Sequence, residues 1–169
     1  MLERFVPTQA VEQVWQVDLA ALRAAGVKHV LLDLDNTLTP WRSAEVPERT
    51  AAWIEQARQG FRVCIVSNTS KLRRLTKLCE RLGIECVGFA QKPWGVRRAL
   101  RKLGAAPEET VLIGDQLLTD VFGAHLAGIR SILVKPVSSD EFFGTYFLRA
   151  IERVVLGMLR RRGMFSRPW

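Results

Sequence analysis

Five short apolar runs, each rich in Val, Ile or Leu, alternate with stretches of helical pattern, and no other feature limits the fold of this chain so sharply. The runs are KHVLLDLD (28 to 35), FRVCIVSN (61 to 68), IECVGF (84 to 89), TVLIGD (110 to 115) and RSILV (130 to 134). Their length and content are those of buried strands. Helices are predicted near 47–59, 70–82, 94–103 and 118–127, with Gly60, Gly83, Gly104 and Gly128 at their ends as stop signals. Strand–helix repetition of this kind makes the strands parallel and covers both faces of the sheet. The expected fold class is α/β, a doubly wound Rossmann-like core with a five-stranded parallel sheet.

Open α/β sheets bind ligands beyond the carboxyl ends of their strands. Here the first run ends in Asp33 and Asp35, the second in Ser67 and Asn68, and the fourth in Asp115; the third leads through GFAQ into Lys92. Two carboxylates at alternate positions of a strand end share a face. Placed so close they repel, and a cation, or a proton on one of them, must relieve the repulsion. That pairing suits Asp33 as a nucleophile and Asp35 as a general acid. The SNTS stretch, Ser67 to Ser70, stands before a helix, where free amides and the Ser67 hydroxyl make a phosphate cradle. Lys92 adds a positive charge against phosphoryl oxygens, and Asp33 with Asp115 offers hard oxygen ligands to Mg2+. Each piece alone has a plainer reading: a loop with two acids, a helix cap, a solvated lysine, a turn. Their order along successive strand ends gives the set its weight.

DLDNTL, VSN (66 to 68), KP (92 to 93) and GDQLLTD (114 to 120) resemble the four motifs of the haloacid dehalogenase superfamily of phosphatases, over roughly residues 28 to 135. The resemblance implies an aspartyl-phosphate formed on Asp33, Asp35 as acid and then base, and Ser67, Asn68 and Lys92 around the phosphate. It further implies Mg2+ held by Asp33, Asp115 and the main-chain carbonyl of Asp35, with Thr37 and Asp120 in support. Only 31 residues separate Asp35 from Ser67, and 24 separate Ser67 from Lys92. Neither interval holds a cap domain, so an open, capless site is expected, suited to a large or membrane-borne substrate. The wording LLDLDNTLTPW, the GDQLLTD motif, the N-terminal FVPTQAV and the basic last helix resemble the YqeG family of subclass IIIA. That family is similar to the mitochondrial and plastid phosphatases acting on phosphatidylglycerophosphate, which implies an anionic phospholipid headgroup as substrate. A soluble phosphate ester, a nucleic-acid end or a phosphoprotein is the alternative.

Composition narrows the setting. The chain has 169 residues, 25 Lys and Arg against 17 Asp and Glu, and a net charge of +8. Such a surface attracts phosphorylated substrates, nucleic acid or acidic lipid alike. No stacking platform or known nucleic-acid motif accompanies it. Cys64, Cys79 and Cys86 are odd in number and form no metal-ligand spacing, which fits buried thiols in a reducing cytoplasm. No signal peptide pattern opens the chain, and no apolar run approaches the ~20 residues of a membrane span. The expectation is one domain over 1–169, located in the cytoplasm or peripherally on the inner face of the membrane.

The ends flank the 28–135 core. Residues 1–26 are read as a helical or broken helical segment packed on the core through Val11, Val14, Trp15, Val17, Leu19 and Leu22. Residues 140–163 are read as an amphipathic helix. Its apolar face carries Phe147, Leu148, Ile151, Val154, Val155, Met158 and Leu159, with Arg149, Arg153 and Arg160 to Arg162 beside it. The helix suits core packing and a lipid interface alike. Lys71, Arg73 and Arg74 suit a solvated helix face or a second substrate phosphate. Trp41 and Trp94 adjoin the first and third motifs, as packing residues or as substrate contacts.

Overall fold

The computed structural model describes residues 2–41, 43, 45–138, 143–166, 168 and 169, without the side chains of 143–146. Six strands form one sheet: β1 (Gln9–Val11), β2 (His29–Leu32), β3 (Arg62–Val66), β4 (Glu85–Val87), β5 (Thr110–Gly114) and β6 (Arg130–Val134). Their order is β1-β6-β5-β2-β3-β4, and every pairing is parallel. The chain steps outward from β2 through β3 to β4, then crosses to β5 and steps the other way. The order therefore reverses between β2 and β5, which opens a crevice at their carboxyl ends.

The helices are α1 (Leu19–Ala24), α2 (Glu48–Ala57), α3 (Leu72–Leu82), α4 (Val96–Leu103), α5 (Phe122–Ala127) and α6 (Phe143–Arg161). Successive residues of each strand point to opposite faces, so a buried strand must be apolar on both sides. On one face Val30, Leu32, Ile65 and Ile113 pack with Trp53 and Ile54 of α2 and Leu75 and Leu78 of α3. On the other, Leu31, Cys64, Val66 and Leu112 meet Val96, Ala99 and Leu100 of α4 and Ala124 of α5. Ile54 is wholly buried, and truncating such a residue to Ala costs roughly 2–5 kcal/mol.

The sixth strand corrects the reading of residues 1–26 as helical. β1 adds to the edge of the sheet, pairing Gln9 to Val11 with Ile132 to Val134. Only Leu19–Ala24 is α-helical there, with Asp18 accepting from the amides of Ala20 and Ala21 as its cap. A three-residue strand is too short to show alternation, and its pairing with residues 123 positions later leaves no local trace. The expected packing role holds for Val14, Val17 and Leu22, all buried in the first core cluster.

The helix predicted over 118–127 begins instead with one wide π-type turn, Leu117–Val121, before α5. The carboxylate of Asp120 there turns back to accept from the Gln116 amide at 3.0 Å. Near the carboxyl terminus α6 covers Phe143–Arg161, and the expected start at 140 lies outside the described residues. No helix among the described residues is long and apolar enough to cross a membrane. Between Asp35 and Ser67 the described chain holds a loop, α2 and β3, and between Ser67 and Lys92 it holds α3 and β4. As expected, neither interval contains a cap.

Candidate active site

Asp33 follows β2 directly, and its amide still donates to Ile113 of β5 at 2.9 Å, which fixes its carboxylate at the strand end. Leu34 to Thr39 then fold into a tight turn in which the amides of Thr37, Leu38 and Thr39 all donate to the Leu34 carbonyl. Asn36 takes a left-handed φ of 64° in that turn, a conformation Asn tolerates better than most residues. The turn brings the Thr37 hydroxyl to Asp115, donating to Oδ1 at 3.1 Å. Thr37 thus ties the first motif to the last.

Lys92 lies at the centre. Its ammonium, almost wholly buried, donates to Asp33 Oδ1 at 2.5 Å and to Asp120 Oδ1 at 2.7 Å. Its amide donates to Asn68 Oδ1 at 2.7 Å, and the Lys92–Pro93 bond is cis. Asn68, expected beside the phosphate, is therefore engaged in holding the Lys92 main chain. Ser67 is buried, and its Oγ accepts from the Thr69 amide at 3.1 Å.

Gly114 leaves room for Asp120. A Cβ there would stand 2.3 Å from the Asp120 carboxyl carbon, so only glycine lets that acid fold back beneath the strand end. Carboxylate oxygens of Asp33, Asp115 and Asp120 come within 4.8 Å of one another, all in buried side chains. The Asp35 carboxylate stands apart from this trio, more exposed and bound to Arg74 Nη1 at 2.9 Å.

Arg74, expected as a solvated or substrate-binding residue, instead braces the first motif. Its guanidinium also donates to the Ser43 carbonyl and, at 3.3 Å, to Thr39 Oγ1. Lys71 is exposed at the foot of α3, Trp94 is 70% exposed beyond Lys92, and Trp41 is half-buried after the first turn.

Two residues of the site were not singled out for it in the sequence. Arg149 of α6 binds the Asp115 carboxylate through Nη2 and donates from Nη1 to the Asp115 carbonyl at 2.9 Å. Glu152, buried one turn on, accepts from Arg149 Nη1 at 2.9 Å and from the Leu118 amide at 3.0 Å. The available signal was the i, i+3 pairing of a lone acid with an arginine in an otherwise basic helix.

Five carboxylates (Asp33, Asp35, Asp115, Asp120 and Glu152) thus face three cations, Lys92, Arg74 and Arg149. Two negative charges lack a counterpart within this cluster. Burial raises Asp33 to about 6, with Lys92 opposing and Asp120 reinforcing the rise. Burial likewise raises Asp115 to about 8, against the pull of Arg149 and with the push of Asp33 and Asp120. Burial pulls Lys92 down, but Asp120 and Asp33 together hold it above its ordinary range. Packed hard oxygen donors with an excess of two negative charges fit a divalent cation.

Comparison with known proteins agrees with this geometry. A family model described as HAD-hydrolase-like matches residues 91–139. The probable phosphatase YqeG of Bacillus subtilis is 40% identical over 167 residues, covering 96% of each chain. The chloroplastic phosphatidylglycerophosphate phosphatase 1 of Chlamydomonas reinhardtii is 30% identical, over 87% of this chain and 59% of that protein. The chloroplastic/mitochondrial enzyme of that name from Arabidopsis thaliana is 26% identical, over 92% and 47%. The chain thus spans about half the length of those two plant-type relatives. Among solved structures, the cobalt-bound deoxy-D-mannose-octulosonate 8-phosphate phosphatase of Haemophilus influenzae superposes with a TM-score of 0.52 at 16% identity, over 79% of this chain and 89% of that one. An uncharacterized Listeria monocytogenes protein gives 0.57 at 20%, over 69% and 85%. The chain is a haloacid dehalogenase-like hydrolase in fold and in sequence. Within that class the chain belongs to the YqeG phosphatase family, and its substrate class is a phosphorylated molecule.

Proposed function

We propose that the chain is a Mg2+-dependent phosphomonoesterase that converts phosphatidylglycerophosphate to phosphatidylglycerol at the inner face of the membrane. The supporting observation is the Asp33 carboxylate held at 2.5 Å from buried Lys92 in a cluster of acids open to no cap. The lipid substrate is suggested by the likeness to the two phosphatidylglycerophosphate phosphatases.

Asp33 attacks phosphorus, so that a carboxylate O–P bond forms as the P–O bond to the alcohol breaks, while Asp35 gives a proton to the departing oxygen. Asp35 then takes a proton from a water that attacks the aspartyl phosphate, releasing inorganic phosphate and restoring Asp33. Lys92 and the Ser67 hydroxyl bind phosphoryl oxygens, and Asn68 holds the Lys92 main chain. Asp33, Asp115 and the Asp35 carbonyl would hold Mg2+, with Asp120 and Thr37 in support. The ion would supply positive charge against the phosphoryl oxygens. Arg74 fixes the position of the Asp35 carboxyl group. Lys71, Trp41 and Trp94 are the nearest candidates for contact with the rest of the substrate.

The test is phosphate release from phosphatidylglycerophosphate in mixed micelles, with Mg2+ and with EDTA, beside a generic aryl phosphate. Mg2+-dependent release from the lipid is expected. Turnover of the aryl phosphate alone would keep the chemistry and turn the substrate to the soluble esters, nucleic-acid ends or phosphoproteins.

A further inference from the structure

Among the described residues seven large hydrophobic side chains are exposed, and four of them lie on α6: Phe147 (72%), Ile151, Val154 (63%) and Met158. Their spacing of four, three and four residues aligns them in one stripe, about 16 Å long at 1.5 Å per residue. The core does not use this stripe. It takes the neighbouring arc, where Val155 and Leu159 are buried against Leu117, Val121 and Leu133. A helix apolar on its packed arc and on a second, exposed arc has more hydrophobic surface than its own fold can cover.

Charge indicates what meets that surface. The acidic side chain described on α6 is Glu152, which is buried and turned to Arg149. Arg153, Arg160, Arg161 and, just past the helix, Arg162 are exposed. Arg161 follows Met158 by three residues and Val154 by seven, so it borders the stripe at its far end. A second copy of this chain would bring the same arginines and no exposed carboxylate from its described α6, so two such faces repel. An anionic lipid surface offers both what the stripe lacks, apolar depth, and what the arginines lack, negative charge.

We propose that the Phe147–Ile151–Val154–Met158 stripe is the surface on which the protein docks to an anionic bilayer, with α6 lying in the plane of the interface. This rests on the lipid-substrate reading above and names the surface that meets the lipid. Arg149, two residues after Phe147, projects from the other side of α6 to Asp115, so docking through the stripe leaves that contact in place. Trp94, two residues past Lys92, is exposed as well. Its ring meets Phe122 edge-on at 6.2 Å, and Phe122 stacks at 5.1 Å on Phe5, a member of the cluster beneath α6.

The experiment is sedimentation of the full chain with vesicles of phosphatidylcholine and phosphatidylglycerol that contain no phosphomonoester. Wild type is expected to pellet with them. A Phe147→Ser, Val154→Ser double variant is expected to bind at least about tenfold more weakly, while its melting temperature and aryl phosphate turnover stay unchanged. An Arg160→Gln, Arg161→Gln variant should retain binding to a smaller degree and show a weaker dependence on salt. Equal pelleting of the serine variant and wild type would overturn the proposal, as would wild type that ignores the vesicles. A wild-type dimer that the serine variant converts to monomer, with no vesicle binding by either, would give the stripe to a second copy and also overturn it. Vesicle binding that follows the stripe, without phosphate release from the lipid substrate, would support docking and reject the substrate reading.

Discussion

Arg149 of the last helix and Asp115 at the end of β5 are joined twice, through the carboxylate and through the main-chain carbonyl, across 34 residues of chain. The Asp115 side chain is wholly buried, so without Arg149 its charge would face Asp33 and Asp120 with the Thr37 hydroxyl beside it but no guanidinium. At pH 9, where Asp115 is ionised, replacing Arg149 with Met is therefore expected to destabilise the ion-free protein by about 3 kcal/mol, the usual cost of removing one partner of a buried pair. Saturating Mg2+ should shrink the difference, because the cation supplies charge where the guanidinium did. Thermal melts of both proteins in EDTA and in Mg2+ read this directly. An equal loss in both conditions would place Arg149 outside the electrostatics of the metal site.

How far the sequence discloses this site depends on distance along the chain and on periodicity. Asp33, Lys92 and Asp115 were legible because each stands at the end of an apolar run or in the loop just beyond it, where parallel topology forces convergence. Arg149 was not, since an arginine on an amphipathic helix looks like any solvated flank until the helix is docked. β1 was missed for a related reason: Gln9 to Val11 are three residues whose partner strand is remote. Arg74 was seen as basic and near the site, but its engagement with Asp35, Ser43 and Thr39 depends on how the first-motif turn folds.

Gly114 separates room for a side chain from backbone freedom. Its φ is not in the left-handed region, yet a Cβ would meet the Asp120 carboxylate at 2.3 Å. Gly114→Ala is expected to cost about 1–3 kcal/mol through overpacking. By displacing the acid that holds Lys92, it should also lower phosphatase turnover by more than about tenfold. Gly157→Ala is the control: nothing lies within 4 Å of a Cβ there, and the residue is helical. That change should leave turnover alone and raise stability by up to about 1 kcal/mol. Similar behaviour of the two variants would show that the contact with Asp120 is without consequence.

Asp33→Asn keeps the shape of the side chain and an oxygen for Lys92 to donate to, but removes the nucleophilic carboxylate. Turnover should fall by at least roughly 10³-fold, since the amide cannot form the phosphoryl ester, while far-ultraviolet circular dichroism stays unchanged. Retained phosphate release would take the nucleophile assignment away from Asp33.

The acids also set a pH dependence for the ion-free protein. An Asp in the unfolded chain titrates near 3.9, whereas folding raises Asp33 to about 6 and Asp115 to about 8 through burial and neighbouring carboxylates. Upward shifts in acids mean that the native state keeps protons the unfolded chain has released, so stability falls as pH rises from about 4 to about 8. His29 opposes this trend, because burial and then Arg62 hold it below 6.5, which makes the native state less stable on the acid side of that value. Between pH 7 and 8 His29 is neutral in both states and Asp33 has already ionised, leaving Asp115 to dominate. Melting temperature in EDTA should therefore drop from pH 7 to about 8, and the fall should continue above that as the unfolded chain releases the protons that burial keeps on Cys64 and Cys79. The increment conferred by Mg2+ should grow over the same interval, because the ion competes with the proton for that carboxylate. A melting temperature in EDTA that is flat or rising from pH 7 to 8 would show that Asp115 is already ionised in the ion-free protein and that Arg149 alone balances it.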